Sequence, residues 1–343
     1  MKAIVKRNPG MEGVGLEEVA DVEPREDEVK IKVSACGICG TDLHIVKDEY
    51  PYETPVILGH EFSGIVELTG KQANRFKKGD RVVSLTAAVT CGTCSYCRKG
   101  LIMLCPKRKS IGSGVNGAMA EYIVVPERNV LSLPANISMD AASLTEPLAC
   151  VVRGLMERAT IQAGDNVLVS GCGTIGLLAL EIANIHGASV IVSGTSQDKN
   201  RFEVAEILGA KAVVNVEEQS ERDVLHLNGG KAFDVVIECA GVESSLHTCL
   251  SLVKKQGTFI QLGLFGKRVS FDFDRMLMKE VNYVNSFATT PSSWETALTL
   301  IEQEKVDLEA LITHKFSIDE WKEAFRVSFQ KEGIKTIIQP NLS

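Results

Sequence analysis

Four cysteines, Cys91, Cys94, Cys97 and Cys105, fall within fifteen residues as Cys-x2-Cys-x2-Cys-x7-Cys. Four thiolates in one compact loop make a closed tetrahedral donor set, the kind that holds a structural Zn²⁺ with no coordination position left open. An iron–sulfur cluster is the alternative, because Cys-x2-Cys-x2-Cys also occurs there. A cysteine loop without metal is the plainest reading. Arg98, Lys99, Lys107, Arg108 and Lys109 surround the loop, and their charge offsets the negative charge of a tetrathiolate zinc centre. The same cations would suit a small nucleic-acid-binding finger, but the acidic chain as a whole weighs against one. The other six cysteines (Cys36, Cys39, Cys150, Cys172, Cys239 and Cys249) are scattered, and scattered cysteines are usually small buried apolar residues.

A second kind of chemistry sits at Gly171-Cys172-Gly173-Thr174-Ile175-Gly176, which matches G-x-G-x-x-G. Alone the pattern is a glycine-rich loop. Between a strand and a helix it becomes a dinucleotide site: a tight turn, close approach of backbone to pyrophosphate, and a helix N-terminus that favours negative charge. An NAD site usually has Asp or Glu about 20 residues on, for the adenosine ribose. Here the segment reads Ser193-Gly194-Thr195-Ser196-Gln197, with Ser196 at the acidic position. Asp198 is expected to cap the helix that follows. Without the acid, a 2′-phosphate meets less repulsion. Thr195 and Ser196 offer hydroxyl donors and Lys199 or Arg201 offers charge, unless those cations only form a solvated helix face. NADP is favoured slightly over NAD.

Three more segments carry donors: Cys36-Gly-Ile-Cys39-Gly-Thr41-Asp-Leu-His44, Gly59-His60-Glu61-Phe62 and Thr145-Glu146-Pro147. Each has an ordinary reading as a buried cysteine, a surface His-Glu pair and a helix-start Glu-Pro. Periodicity does not connect them.

The elements that would position these groups fall into two characters. Residues 1–150 contain short β-type runs at 3–5, 28–33, 64–68 and 81–83, and Lys30-Ile31-Lys32-Val33 alternates with the period of a half-buried strand. Past residue 150 the runs 166–170, 189–192, 212–214, 233–238 and 258–262 alternate with helical patterns at about 175–186 and 198–208. Strand–helix alternation predicts a doubly wound parallel sheet. From about residue 290 a helix and a mixed tail return to the first character. The expected fold class is therefore α/β. A mostly-β catalytic domain spans 1–150, with 286–343 returning to it, and a dinucleotide-binding domain spans 151–285.

The chain has 343 residues, is 45% hydrophobic and carries a formal charge of −7. That is enough apolar content for two cores, and the negative sign argues against a nucleic-acid partner. No apolar stretch reaches the roughly 20 residues of a membrane helix, and the N-terminus reads as a strand rather than a signal peptide. A cytoplasmic protein acting on a small molecule is expected, with neither nucleic acid nor membrane as partner.

Taken together, Gly37 to His44, Gly59-His60-Glu61, the 91–105 lobe, Thr145-Glu146-Pro147-Leu148 and the glycine turn resemble the zinc-dependent medium-chain dehydrogenase/reductase family along essentially the whole chain. The resemblance implies a GroES-like catalytic domain beside a Rossmann domain, and two Zn²⁺ per subunit. It implies Cys39 and His60 as ligands of a catalytic zinc. Glu61 and Glu146 are the acidic members of that shell, one direct and the other direct or through water. Thr41 would take the alcohol proton and pass it through the nicotinamide ribose towards His44, unless His44 is only a surface histidine. Dimers and tetramers are both usual in the family. The nearest branches are the sorbitol and polyol dehydrogenases and the threonine dehydrogenases. Glu146 and Thr90 depart from the threonine branch, which has Asp and His there. Ala288-Thr289 departs from the Arg-Tyr pair of sorbitol dehydrogenases. The implied reaction is reversible oxidation of a secondary alcohol to a ketone with NAD(P). The alternatives are threonine 3-dehydrogenase-like activity, a zinc-free quinone or enoyl reductase, and a non-catalytic zinc-stabilised NADPH-binding regulator.

Overall fold

Strand lengths and glycine punctuation in the first part of the chain favour a network of short antiparallel strands. In the computed structural model, which describes residues 1–342, that is what forms. The strands are β1 (Lys2–Lys6), β2 (Val14–Glu18), β3 (Glu28–Gly37), β4 (Val56–Ile57), β5 (Glu61–Thr69), β6 (Arg81–Ser84), β7 (Ala87–Val89), β8 (Lys109–Ser110), β9 (Tyr122–Pro126) and β10 (Val130–Ser132). The next six are β11 (Asn166–Ser170), β12 (Ser189–Gly194), β13 (Ala212–Asn215), β14 (Phe233–Glu238), β15 (Val253–Gln261) and β16 (Asn282–Asn285). Last come β17 (Ile312–Ser317) and β18 (Lys335–Gln339).

The chain divides into two units. The first holds Met1–Glu146, Thr289–Gln303 and the chain from Ile312 onward. Its main sheet runs β10-β6-β5-β3-β18-β17, with β9 also on β3, and a smaller sheet runs β2-β1-β4. The alternation expected at Lys30-Ile31-Lys32-Val33 is only partly present: Ile31 and Val33 are fully buried and Lys32 is exposed, but Lys30 is buried too, its ammonium paired with Asp21 at 2.8 Å. Ile31 and Val33 pack with Val29, Phe62, Val66, Val82 and Ile123 in one core. The antiparallel pairing of β3 with β5 opposes Gly37 to Glu61, and β18 lies on the other side of β3 with Ile337 opposite Gly37. Three segments far apart in sequence therefore meet at one end of one sheet.

The second unit holds Pro147–Ala288 and Glu304–Leu311. Its sheet is wholly parallel in the order β13-β12-β11-β14-β15-β16, the arrangement of a doubly wound dinucleotide fold. The central strands carry continuous buried apolar runs, with Val167, Leu168, Val169, Val190, Ile191 and Val192 all at or near zero exposure, as expected for strands covered on both faces. Nothing in the sequence pattern marks the excursion 304–311. The Glu181 carboxylate, on the helix Thr174–Ile185, accepts from the Asp307 backbone N–H at 2.6 Å and holds that segment to the second unit.

Candidate functional site

Local sequence builds the four-cysteine lobe almost unaided. Gly92 and Gly100 take positive φ (69° and 74°) and let the loop double back. The short helix Ser95–Arg98 starts at Cys94, whose sulfur accepts from the Cys97 N–H. Two further backbone bonds reach sulfur: Cys91 N–H donates to Cys105 Sγ and Cys94 N–H to Cys91 Sγ, each at 3.3 Å. All four sulfurs lie within 4.8 Å of one another. Cys91 and Cys97 Sγ are 3.9 Å apart, close to the roughly 3.8 Å edge of a tetrahedron of Zn–S bonds about 2.3 Å long. Backbone N–H groups of Thr93 and Cys94 hold the Cys91 thiol down at about 5, whereas desolvation and neighbouring sulfurs push Cys97 up to about 12. Four thiols this close do not all ionise without a cation among them, and a divalent metal fits the set.

The second donor set is assembled by the sheet. Cys39 follows β3 and N-caps the helix Gly40–Val46, while His60 immediately precedes β5 and Glu61 begins it. Their donor atoms lie within 4.8 Å of one another. Asp42 is fully buried behind them. One oxygen accepts from the Cys39 N–H at 2.9 Å, and the other accepts from the Gly59 N–H at 3.2 Å and lies 3.6 Å from His60 Nδ1. Burial pushes His60 down, but the Asp42 carboxylate and Cys39 outweigh it and raise it well above the usual imidazole range. An imidazole held through Nδ1 by a carboxylate presents Nε2 as a metal ligand. Burial pushes the Cys39 thiol up, with Glu61 adding to the effect. A partly buried thiol and imidazole beside a buried carboxylate fit Zn²⁺, whose charge reverses those penalties.

Glu61 has a second partner. Lys335 on β18 donates from Nζ to Glu61 Oε2 at 2.6 Å and to the Ile38 carbonyl at 3.2 Å. Both side chains are buried, at 4% and 1% exposure. Gly37 makes room: a Cβ there would overlap the Glu61 carboxylate. Glu146, the other expected acid, is buried in the first turn of the helix Thr145–Val152. The compact donor group comprises Cys39, His60 and Glu61. Thr41 and His44 lie three residues apart on the helix Gly40–Val46, and His44 Nδ1 is 2.7 Å from Glu49 Oε2.

The glycine turn joins β11 to the helix Thr174–Ile185. Gly171 has φ +99°, and a Cβ on Gly176 would collide with the Gly171 carbonyl. Gly173, at the helix N-cap, has open space where a Cβ would project, and no side chain caps that helix. An uncapped helix start with backbone free to be approached closely is a fit for a dinucleotide pyrophosphate.

Residues 25–135 match the family described as alcohol dehydrogenase GroES-like domain, and 174–303 match the zinc-binding dehydrogenase family. The chain is 37% identical to a sorbitol dehydrogenase of Halalkalibacterium halodurans, over 99% of each chain. It is also 37% identical to a D-arabitol-phosphate dehydrogenase of Enterococcus avium, over 99% of this chain and 98% of that one. A zinc-binding dehydrogenase of Sinorhizobium meliloti, solved bound to NADP, superposes with a TM-score of 0.89 at 30% identity over 99% of each chain. The chain belongs to the zinc-dependent alcohol dehydrogenase family.

As a member of that family it is an oxidoreductase with a GroES-like unit and a Rossmann unit. Past β12, one sequence expectation is corrected. Asp198 does not cap the helix Lys199–Ile207 with its side chain. It turns back instead: Oδ2 accepts from both Thr195 N–H and Thr195 Oγ1 at 2.9 Å, and Oδ1 pairs with Arg201 at 2.8 Å. The capping box with Thr195 wins over the helix because it satisfies two donors with one oxygen. Thr195 and Arg201, expected beside a 2′-phosphate, are thus both engaged by Asp198. Lys199 is exposed. Of the scattered cysteines, Cys36, Cys172 and Cys249 are buried as expected, whereas Cys150 and Cys239, like Cys39, are only partly so.

Sequence reasoning missed Asp42, Glu49 and Lys335. The spacing Cys39-x-x-Asp42 is a capping signal that finds the first. Lys335 lies 274 residues from Glu61 and has no local signal.

Proposed function

We propose that this chain oxidises a secondary hydroxyl of a polyol or polyol derivative to the ketone, reversibly, with NAD(P). The compact group of Cys39, His60 and Glu61, backed by the buried Asp42, carries this reading. A zinc held there would supply a Lewis acid that lowers the hydroxyl pKa, and the dinucleotide would supply the hydride acceptor. Cys39 and His60 would be ligands of that zinc, and Glu61 and Glu146 the acids that complete the shell. Thr41 Oγ1 would take the alcohol proton, and His44, held by Glu49, would stand on its way to solvent. Gly171, Gly173, Thr174, Ile175 and Gly176 seat the pyrophosphate. Cys91, Cys94, Cys97 and Cys105 hold a second, structural zinc, giving two per subunit.

Polyols and polyol phosphates are the substrates named for two relatives of equal identity, and Glu146 and Thr90 favour this branch over threonine. Self-association is part of the proposal. β16 is a sheet edge with one partner, and Phe273, Leu277 and Met278 are about 70% exposed on the helix Phe273–Met278. An open edge beside an apolar patch favours pairing with another copy.

The decisive experiment is a panel of polyols, polyol phosphates, vicinal diols and threonine with NAD⁺ and NADP⁺, before and after chelation. Turnover of a polyol class that chelation abolishes supports the proposal. Turnover of threonine alone, or activity untouched by full zinc removal, overturns it.

A further inference from the structure

The doubly wound fold needs an acceptor for the adenosine ribose at the carboxyl end of the second strand, and position 196 supplies only a serine. The structure fills that place from the neighbouring strand. β12 and β13 run parallel with Gly194 opposite Asn215, so Ser196 and Glu217 each lie two residues beyond the paired ends. Glu217 Oε2 accepts from the Ser196 N–H at 3.0 Å. Asn215 ties the two loops together, donating from Nδ2 to Ser196 Oγ at 3.0 Å and accepting at Oδ1 from the Glu217 N–H at 3.1 Å. Val216 N–H to the Gly194 carbonyl, at 2.9 Å, locks the crossing. The exposed carboxylate is therefore fixed beside the residue where the ribose-binding acid normally stands.

We propose that Glu217 is the ribose-binding acid of this dinucleotide site and makes the enzyme select NAD over NADP. The inference rests on the dinucleotide reading above and reverses the preference that Ser196 by itself suggests. A carboxylate can accept about four hydrogen bonds. With Ser196 N–H on Oε2, Glu217 keeps acceptor capacity for both hydroxyls of an unphosphorylated ribose. A 2′-phosphate replaces one of those donors with about two negative charges and meets the carboxylate head-on. Hydrogen bonds from Ser196, through its side chain and then its backbone, hold Glu217 below the usual carboxylate range, so it is ionised at neutral pH. The cations do not restore the balance: Arg201 is paired with Asp198 at 2.8 Å, and only Lys199 stands exposed on that turn.

The test is equilibrium titration of NADH and NADPH into the zinc-loaded protein, followed by nicotinamide fluorescence, for wild type, Glu217→Gln and Glu217→Asp. Wild type is expected to bind NADH at least about tenfold more tightly than NADPH, and Glu217→Gln to shrink that ratio about tenfold. Glu217→Asp should keep part of the preference, because the charge remains. Wild type that favours NADPH overturns the proposal, as does Glu217→Gln that binds both nucleotides with an unchanged ratio. Binding of neither nucleotide by wild type overturns the dinucleotide reading itself, and this proposal with it.

Discussion

The two donor sets of the first unit are built by opposite means. The lobe gathers four sulfurs from fifteen consecutive residues and steadies them with backbone N–H groups of the same loop. The Cys39 set draws its donors from the ends of β3 and β5, and β18 supplies the cation that holds Glu61. A locally closed set fills every coordination position with its own chain. A set spread over three strands is placed by packing, and it can leave a position open for a substrate. Damage to the lobe should therefore stay in the lobe. Damage to the Cys39 set should depend on residues far away in sequence.

The largest contrast is expected from the ligands. Cys39→Ser should remove one zinc per subunit and lower turnover at least about 1,000-fold, because Lewis-acid stabilisation of several kcal/mol goes with it. The lobe should keep its metal. Cys94→Ser should do the reverse, losing the lobe metal and melting earlier while Cys39 and His60 still bind theirs. Metal counts by mass spectrometry beside steady-state rates check both, and loss of both metals in either variant breaks the comparison. Next comes Lys335→Met. It leaves the Glu61 carboxylate buried beside an apolar side chain, at a cost of about 3–5 kcal/mol. The double variant Lys335→Met, Glu61→Leu should recover most of that in denaturant melts, while a double variant no more stable than the single one refutes the pairing.

A smaller effect tests the support behind the ligands. Asp42→Asn keeps the shape of the side chain but removes the charge behind His60, and should weaken zinc binding at the Cys39 set by about 10–100-fold. Competition with a chelator measures this, and an equal loss at the lobe would mean general unfolding. The smallest effect carries the same long-range logic into the second unit. Burial pushes Glu181 up to about 7, against backbone help from Asp307, and its second oxygen has no partner. The folded state then holds a proton that the unfolded state has released between its ordinary value and about 7, so stability falls as pH rises through that window. Glu181→Gln should flatten this slope and raise stability at pH 8 by about 1–2 kcal/mol, read as a melting shift of a few degrees. A slope unchanged in the variant would exclude Glu181 as its source.

Legibility in the sequence follows the same division. The lobe, the glycine turn and the strands β11 and β14 are carried by contiguous residues whose spacing or apolar run is itself the signal. Asp198 was visible as an acid near a helix start. Its actual partner, Thr195, was settled by which donors lay within reach of the carboxylate. Glu217 was not legible, because a residue beyond β13 reaches the loop after β12 only through the parallel register of two strands.

By itself the sequence determined what local chain chemistry can enforce. Four thiols crowd one short loop, a glycine turn has no room for side chains at Gly171 and Gly176, and buried strands alternate with helices. Tertiary structure alone decided which distant groups become partners. It set Lys335 against Glu61, Asp42 behind His60 and Glu217 beside Ser196. The reason is physical. Sheet register and burial choose among many chemically possible pairs, and neither is written in any one segment.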